Sequence, residues 1–136
     1  MKPNICILIP AYNPDEKLIE LIRELQADRV TKSNFASVYM VIINDGSFKD
    51  ESLATLRKVR SINGVYLIDH PKNLGKGAAI KSGLKHISKS NFSYIVTADS
   101  DGQHLADDIF KVLIESIKTD RFVLGKRSFS LEKIPF

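Results

Sequence analysis

Residues 94–104 read YIVTADSDGQH, and how this stretch is read decides the fold. An apolar, β-branched run (Tyr94, Ile95, Val96, Thr97) stops abruptly at Asp99, Ser100, Asp101, Gly102 and Gln103, so a strand ends in two carboxylates and an amide oxygen. Like charges this close raise each other's pKa and destabilise a fold unless something positive sits between them. Hard oxygen donors suit Mg2+ or Mn2+ rather than zinc. Ions of that kind keep positions open for water and substrate phosphates, which points to a phosphate-bearing ligand. A solvated turn is the plain explanation of Asp-Ser-Asp taken alone. Its place after a strand, with Gln103 on the same side, favours the metal.

Working outward, the same pattern of apolar run and polar loop recurs. Residues 4–10 (NICILIP) lie between prolines 3 and 10, residues 38–43 (VYMVII) end in Asn44-Asp45-Gly46-Ser47, and residues 64–69 are closed by Pro71. A fifth strand is expected over residues 121–125, leading to Lys126 and Arg127. Helical signals fill the intervals. Asn13-Pro14-Asp15-Glu16 reads as a capping box with Asn13 at the N-cap, ahead of Leu18, Leu21, Ile22 and Leu25 at helical spacing. Ser47 or Asp50 is expected to cap a second helix with the stripe Leu53, Leu56 and Val59. The third helix opens at Asn73-Leu74-Gly75-Lys76-Gly77, with Ala79 or Ile80, Gly83, Leu84 and Ile87 as its apolar stripe. The fourth carries Leu105, Ile109, Leu113 and Ile117, with Asp107 and Asp108 near its start, where the helix dipole favours negative charge.

Five alternations of strand and helix predict an α/β fold: a mostly parallel sheet with helices on both faces. Ligands bind such sheets beyond the carboxyl ends of the strands. Tyr12, Asp45, Lys76, Asp99, Asp101, Gln103 and Arg127 all follow strands, so the fold gathers them on one rim.

Composition narrows the class. The 136 residues suffice for one domain, 1–136, and 43% apolar with 26% charged residues excludes a disordered chain. The net charge of +4 is spread through the chain rather than along one stripe, which argues against nucleic acid and leaves anionic substrates or a membrane surface open. A single cysteine, Cys6, forms no internal disulfide, fits a reducing compartment and reads as a small core residue. No apolar run reaches the length of a membrane span and no signal peptide opens the chain, so a soluble, unprocessed, cytoplasmic protein is expected.

The loop around Lys76 matches neither common phosphate motif. It lacks the Walker A spacing, and the third glycine of a dinucleotide fingerprint is Ile80. Glycines on either side of a lysine at a helix start nonetheless suit a diphosphate, with a simple turn or cap as the alternative. Asp45 either caps a helix or accepts the N–H groups of a base or ribose hydroxyls. His70 and His86 read as structural or solvated, His104 lies beside the acidic cluster, and no spacing suggests zinc or an activated serine.

Five motifs in order resemble glycosyltransferase family 2, most closely its dolichyl- or polyprenyl-phosphate sugar transferase branch. They are Ile9-Pro10-Ala11-Tyr12-Asn13, Asn44-Asp45-Gly46-Ser47, Asn73-Leu74-Gly75-Lys76-Gly77, Asp99-Ser100-Asp101-Gly102-Gln103-His104 and Gly125-Lys126-Arg127. The resemblance implies a GT-A nucleotide-sugar fold and inverting transfer from a UDP- or GDP-sugar to a lipid-phosphate or glycan acceptor. Carried over by position, Pro10, Ala11 and Tyr12 contact the nucleoside and Asp45 the base or ribose. Asp99 and Asp101 hold Mg2+ or Mn2+ on the diphosphate, Gln103 is a further metal contact, and Lys76 and Arg127 lie near phosphates. Lys126 stands where the family usually has serine.

Family members continue past this loop into acceptor-binding and often membrane-associated segments, whereas this chain ends at Phe136. The resemblance is therefore to the donor-binding part. It implies work at the inner face of a membrane, with attachment through the absent part, and leaves homo-oligomerisation open. Phe129, Leu131, Ile134 and Phe136 look like sequence that expects a partner surface. Two other readings compete. A non-catalytic nucleotide-sugar-binding module would bind donor without transfer. A signalling receiver domain would need its acidic pair after the first strand and its phosphorylated aspartate after the third, where Asn13 and Asp69-His70-Pro71 stand instead.

Overall fold

The computed structural model describes residues 2–27, 34–101 and 106–119. Within them the chain forms β1 (Asn4–Ala11), α1 (Glu16–Ala27), β2 (Ser37–Asp45), α2 (Asp50–Arg60), β3 (Val65–His70), α3 (Lys76–Ile87), β4 (Tyr94–Thr97) and α4 (Ala106–Thr119). The strands make one sheet in the order β3-β2-β1-β4, and every pairing is parallel. This is the expected α/β architecture, with four alternations described. The fifth strand expected over 121–125 lies outside the described residues, as do Leu105 and the apolar side chains of 129–136.

The register explains why β1 has no polar face. Its central residues pair with two strands at once, Ile7 opposite both Met40 and Val96. Ile5, Ile7, Ile9 and Ala11 point to one side, into a core shared with Leu18, Ile22 and Leu25 of α1, with Leu56 and Val59 of α2, and with Ile109, Phe110 and Leu113 of α4. Cys6 and Leu8 point to the other side, where Val41 and Ile43 meet Ala79 and Ile87 of α3. A strand buried on both faces must be apolar throughout, and full burial of each isoleucine contributes about 1.5–3 kcal/mol.

The two layers are unequal: three described helices cover one face and α3 covers the other. Gly83 permits the close seating of α3, since a Cβ there would lie 3.1 Å from both Ile43 Cδ1 and Leu8 Cδ2. Leu84, expected in the buried stripe, is exposed instead, because Ala79, Gly83 and Ile87 already complete the face that meets the sheet.

Two caps differ from expectation. Asp15 rather than Asn13 starts α1, its Oδ1 accepting the Lys17 N–H at 2.9 Å. Asn13 takes a positive φ of 47° and turns its side chain elsewhere. It serves α2 from outside: Asn13 Oδ1 accepts the N–H groups of Phe48 and Lys49 at 3.0 and 3.2 Å. Neither Ser47 nor Asp50 caps α2, whose N-cap position is Lys49 without a side-chain bond. An amide from the β1–α1 turn thus holds the two residues ahead of α2, while no side chain caps the helix itself.

Candidate functional site

Because all four strands run the same way, their carboxyl ends open on one edge of the sheet. There the β1, β2 and β4 ends and the start of α3 enclose a cleft of about 590 Å3. Pro10, Ala11, Tyr12, Asp45, Lys76, Asp99 and Asp101 all line it, joined by Asn73, Gly75 and Ser100. Every sequence-selected site residue that the structure describes is thus brought together. Gln103 and Arg127, and with them His104, lie outside the described residues.

The turn after β2 builds one wall, and each of its four residues has a separate task. Asn44 Oδ1 accepts the Ser47 N–H at 3.0 Å, which closes the turn. Ser47 Oγ accepts the Asn13 N–H at 2.8 Å, tying this turn to the one after β1. Gly46 has φ 75°, and a Cβ there would fall 2.2 Å from the Lys72 carbonyl carbon and 2.3 Å from the Asn73 nitrogen. Only a residue without a side chain lets the loop before α3 pass this close.

Asp45 fixes that loop. It is 3% exposed, and its Oδ1 accepts the Leu74 N–H at 2.9 Å while its Oδ2 accepts the Gly75 N–H at 2.9 Å. His70 Nδ1 lies 2.9 Å from the same Oδ1, and His70 Nε2 lies 2.7 Å from Ser82 Oγ. Burial alone would raise the Asp45 pKa. The Leu74 N–H, the His70 ring and the Gly75 N–H together outweigh it and hold the carboxyl below its ordinary value. An ionised carboxylate only accepts, so His70 Nδ1 donates to it.

His70, read from the sequence as structural or solvated, has a structural role: it is the part-buried link between β2 and α3. Which groups it links is what its local sequence does not give. The signal for it is positional: in a parallel sheet the ends of β2 and β3 lie side by side, and the register pairs Asp45 with His70. A similar link lies on the other side of the sheet, where Asp69 accepts from Asn44 Nδ2 at 2.9 Å and from Arg60 at 2.7 Å.

The opposite wall carries the charge. Lys76 Nζ, at the first position of α3, lies 2.6 Å from Asp99 Oδ1. The cation expected between the strand-end acids is thus supplied, for Asp99, by a lysine. Gly75 stands before it at φ 98° and ψ 158°, a conformation essentially restricted to glycine, and no side chain caps the helix. The first N–H groups of α3 therefore open beside Lys76, a setting that favours an anion. At the rim, Tyr12 is 47% exposed, with its ring 6.1 Å from that of Phe48.

Asp99 and Asp101 are hard oxygen donors facing a cleft, which fits Mg2+ or Mn2+. Among the described residues no group of three or more His, Cys, Asp or Glu side chains gathers to hold a metal. Two carboxylates suffice for an ion of this type when substrate phosphates complete its shell.

A family model described as glycosyl transferase family 2 matches residues 6–134, nearly the whole chain. The chain belongs to glycosyltransferase family 2. Relatives within the family include a dolichyl-phosphate beta-glucosyltransferase of Trichomonas vaginalis, 30% identical over 91% of this chain and 40% of its own length. A UDP-N-acetylglucosamine–dolichyl-phosphate N-acetylglucosaminyltransferase of Methanococcus voltae is 31% identical over 90% of this chain and 51% of its own. The chain thus spans about two-fifths to a half of the curated relatives it matches. Among solved structures, the mannosyltransferase PcManGT from Pyrobaculum calidifontis, in complex with GDP-Man and Mn2+, superposes with a TM-score of 0.64 at 16% identity, over 83% of this chain and 32% of that one. At that identity the likeness establishes the GT-A fold and nothing finer.

Proposed function

We propose that this chain is the donor-binding part of an inverting family 2 glycosyltransferase that moves a sugar from a UDP- or GDP-sugar to a polyprenyl phosphate or a glycan. The observation that carries the reading is the convergence, in one cleft, of the β4 acids, Lys76 and the uncapped start of α3 with Pro10, Ala11 and Tyr12. A nucleotide diphosphate offers what each wall asks for. Its base and ribose would lie along Pro10–Tyr12, beside the wall that the Asp45 turn builds. Its phosphates would meet Lys76 and the α3 N–H groups.

Asp99 and Asp101 would hold Mg2+ or Mn2+, with Gln103 as a further contact, and the ion when bound would stabilise negative charge on the diphosphate. In the reaction the bond from the anomeric carbon to the diphosphate oxygen breaks as an acceptor oxygen bonds to the opposite face of that carbon. Charge accumulates on the leaving diphosphate, so Lys76 and Arg127 would act where the barrier is highest; a well-placed donor of this kind is worth about 3 kcal/mol. A phosphate acceptor is already anionic and needs no base to attack, whereas a glycan hydroxyl does.

Lys76 adds a specific expectation. Because it pairs with Asp99 at 2.6 Å, donor and ion must draw Lys76 from the carboxylate onto the phosphates. A thermal-shift series with UDP- and GDP-sugars tests the reading. A nucleotide sugar is expected to raise the melting temperature with Mn2+ or Mg2+ and not in a chelator, and Asp101→Ala is expected to remove the shift. A full shift in the variant, or no shift with any donor and metal, would overturn the proposal.

A further inference from the structure

The acidic side chains of the described helices are confined to one of the two helical layers, while basic ones occur in both. Residues 70–98 contain five lysines, at 72, 76, 81, 85 and 89, and no aspartate or glutamate. Every acidic side chain on a described helix belongs to α1, α2 or α4, in the opposite layer. On the α3 side the carboxylates of the sheet are already engaged, Asp45 by buried hydrogen bonds and Asp99 by Lys76.

Four of the seven large apolar side chains exposed among the described residues lie on this side. Leu84 on α3 is 41% exposed, Ile95 on the α3 face of β4 is 45% and Tyr66 on the α3 face of β3 is 44%. Leu74, in the loop that leads into α3, is also exposed. Lys81 and Lys85 are one helical turn apart, Lys89 continues the row just past the helix end, and Leu84 lies beside them. A row of lysines whose aliphatic stems flank exposed leucine and isoleucine fits a surface that is anionic outside and apolar beneath.

We infer that the outer face of α3, with Lys81, Leu84, Lys85 and Lys89, docks on the surface of an anionic phospholipid bilayer. Charge complementarity selects this occupant: the face bears only positive charge, and an acidic bilayer attracts each lysine near it. No helix among the described residues is long and apolar enough to cross a membrane, and the contact inferred for α3 is a peripheral one. The inference deepens the proposed function, whose polyprenyl-phosphate acceptor is itself held in a bilayer. Since α3 begins at Lys76, docking through its outer face would bring the cleft to the membrane.

Vesicle cosedimentation of the full chain separates this inference from the sugar-transfer reading, because it uses neither donor nor acceptor. Vesicles of phosphatidylcholine with phosphatidylglycerol are expected to pull down the chain at low salt, and vesicles of phosphatidylcholine alone to leave it in solution. The triple variant Lys81→Gln, Lys85→Gln, Lys89→Gln should bind about a hundredfold more weakly, at about fivefold per lysine. Lys17→Gln with Lys111→Gln, on helices of the other layer, should bind as the parent does. Matching melting temperatures for all three proteins would exclude misfolding as the cause. Equal binding by parent and triple variant, equal binding to neutral vesicles, or no binding to the acidic ones would overturn the inference.

Discussion

While Asn44 closes the turn, Asp45 shares one buried carboxylate among donors from two segments, the loop before α3 and the end of β3. Removing it leaves two backbone N–H groups and a ring nitrogen without an acceptor, so Asp45→Ala is expected to cost about 3 kcal/mol in urea unfolding at pH 7. The pH dependence follows from its depressed pKa. The folded value lies below the unfolded one, so the stabilising contribution is complete above the ordinary carboxylate range, about pH 4, and is lost as pH falls through the folded value. The stability gap between parent and Asp45→Asn should therefore narrow below pH 4, and a gap constant from pH 7 to pH 3 would contradict this account. Cys6 gives the contrasting case. Burial pushes its thiol up to about 12, so it should resist thiol reagents at pH 8 while the chain is folded and react once unfolded.

At the scale of elements, the turn after β2 is the part most sensitive to a single added atom. Gly46→Ala places a methyl group against the backbone of Lys72 and Asn73 and also forces alanine to a positive φ, so neither side can yield cheaply. It should destabilise the chain by at least about 2 kcal/mol and weaken nucleotide-sugar stabilisation, because the loop that must move is the one presenting Lys76. Asp15→Ala, which removes only the α1 cap, should cost about 1 kcal/mol and leave that stabilisation intact; melting curves with and without donor distinguish the two. The strands are legible in the sequence because β1 and β2 are continuous apolar runs, and the gathering of Tyr12, Asp45, Lys76, Asp99 and Asp101 follows from their parallel direction. What escapes is whatever depends on distant segments meeting. Asn13 looks like a local cap and instead serves α2, and His70 looks incidental until the register sets it beside Asp45. Lys76 stands out in the sequence by its glycine-flanked place at a helix start, but its pairing with Asp99 depends on how α3 is aimed.

For the molecule as a whole, the inequality of its two layers sets how it should come apart. Twenty buried residues among those described form the core under α1, α2 and α4, whereas six form the core under α3. Stability is not uniform in such an arrangement, and the layer with the smaller buried core is the one that opens at lower free energy. That layer also holds the start of α3 and Lys76, so the cleft and the less stable unit coincide. Cys6 reports on it directly, since its thiol lies in the six-residue core and is covered by that layer. In urea, thiol labelling of Cys6 should set in at concentrations where far-UV circular dichroism still shows the native helix content, because three of the four described helices remain packed on the other face. Leu8→Ala, which removes contacts only from the smaller core, should advance the labelling further than it lowers the midpoint of the dichroism transition. Coincident labelling and dichroism curves in both proteins would mean that the two layers unfold as one unit.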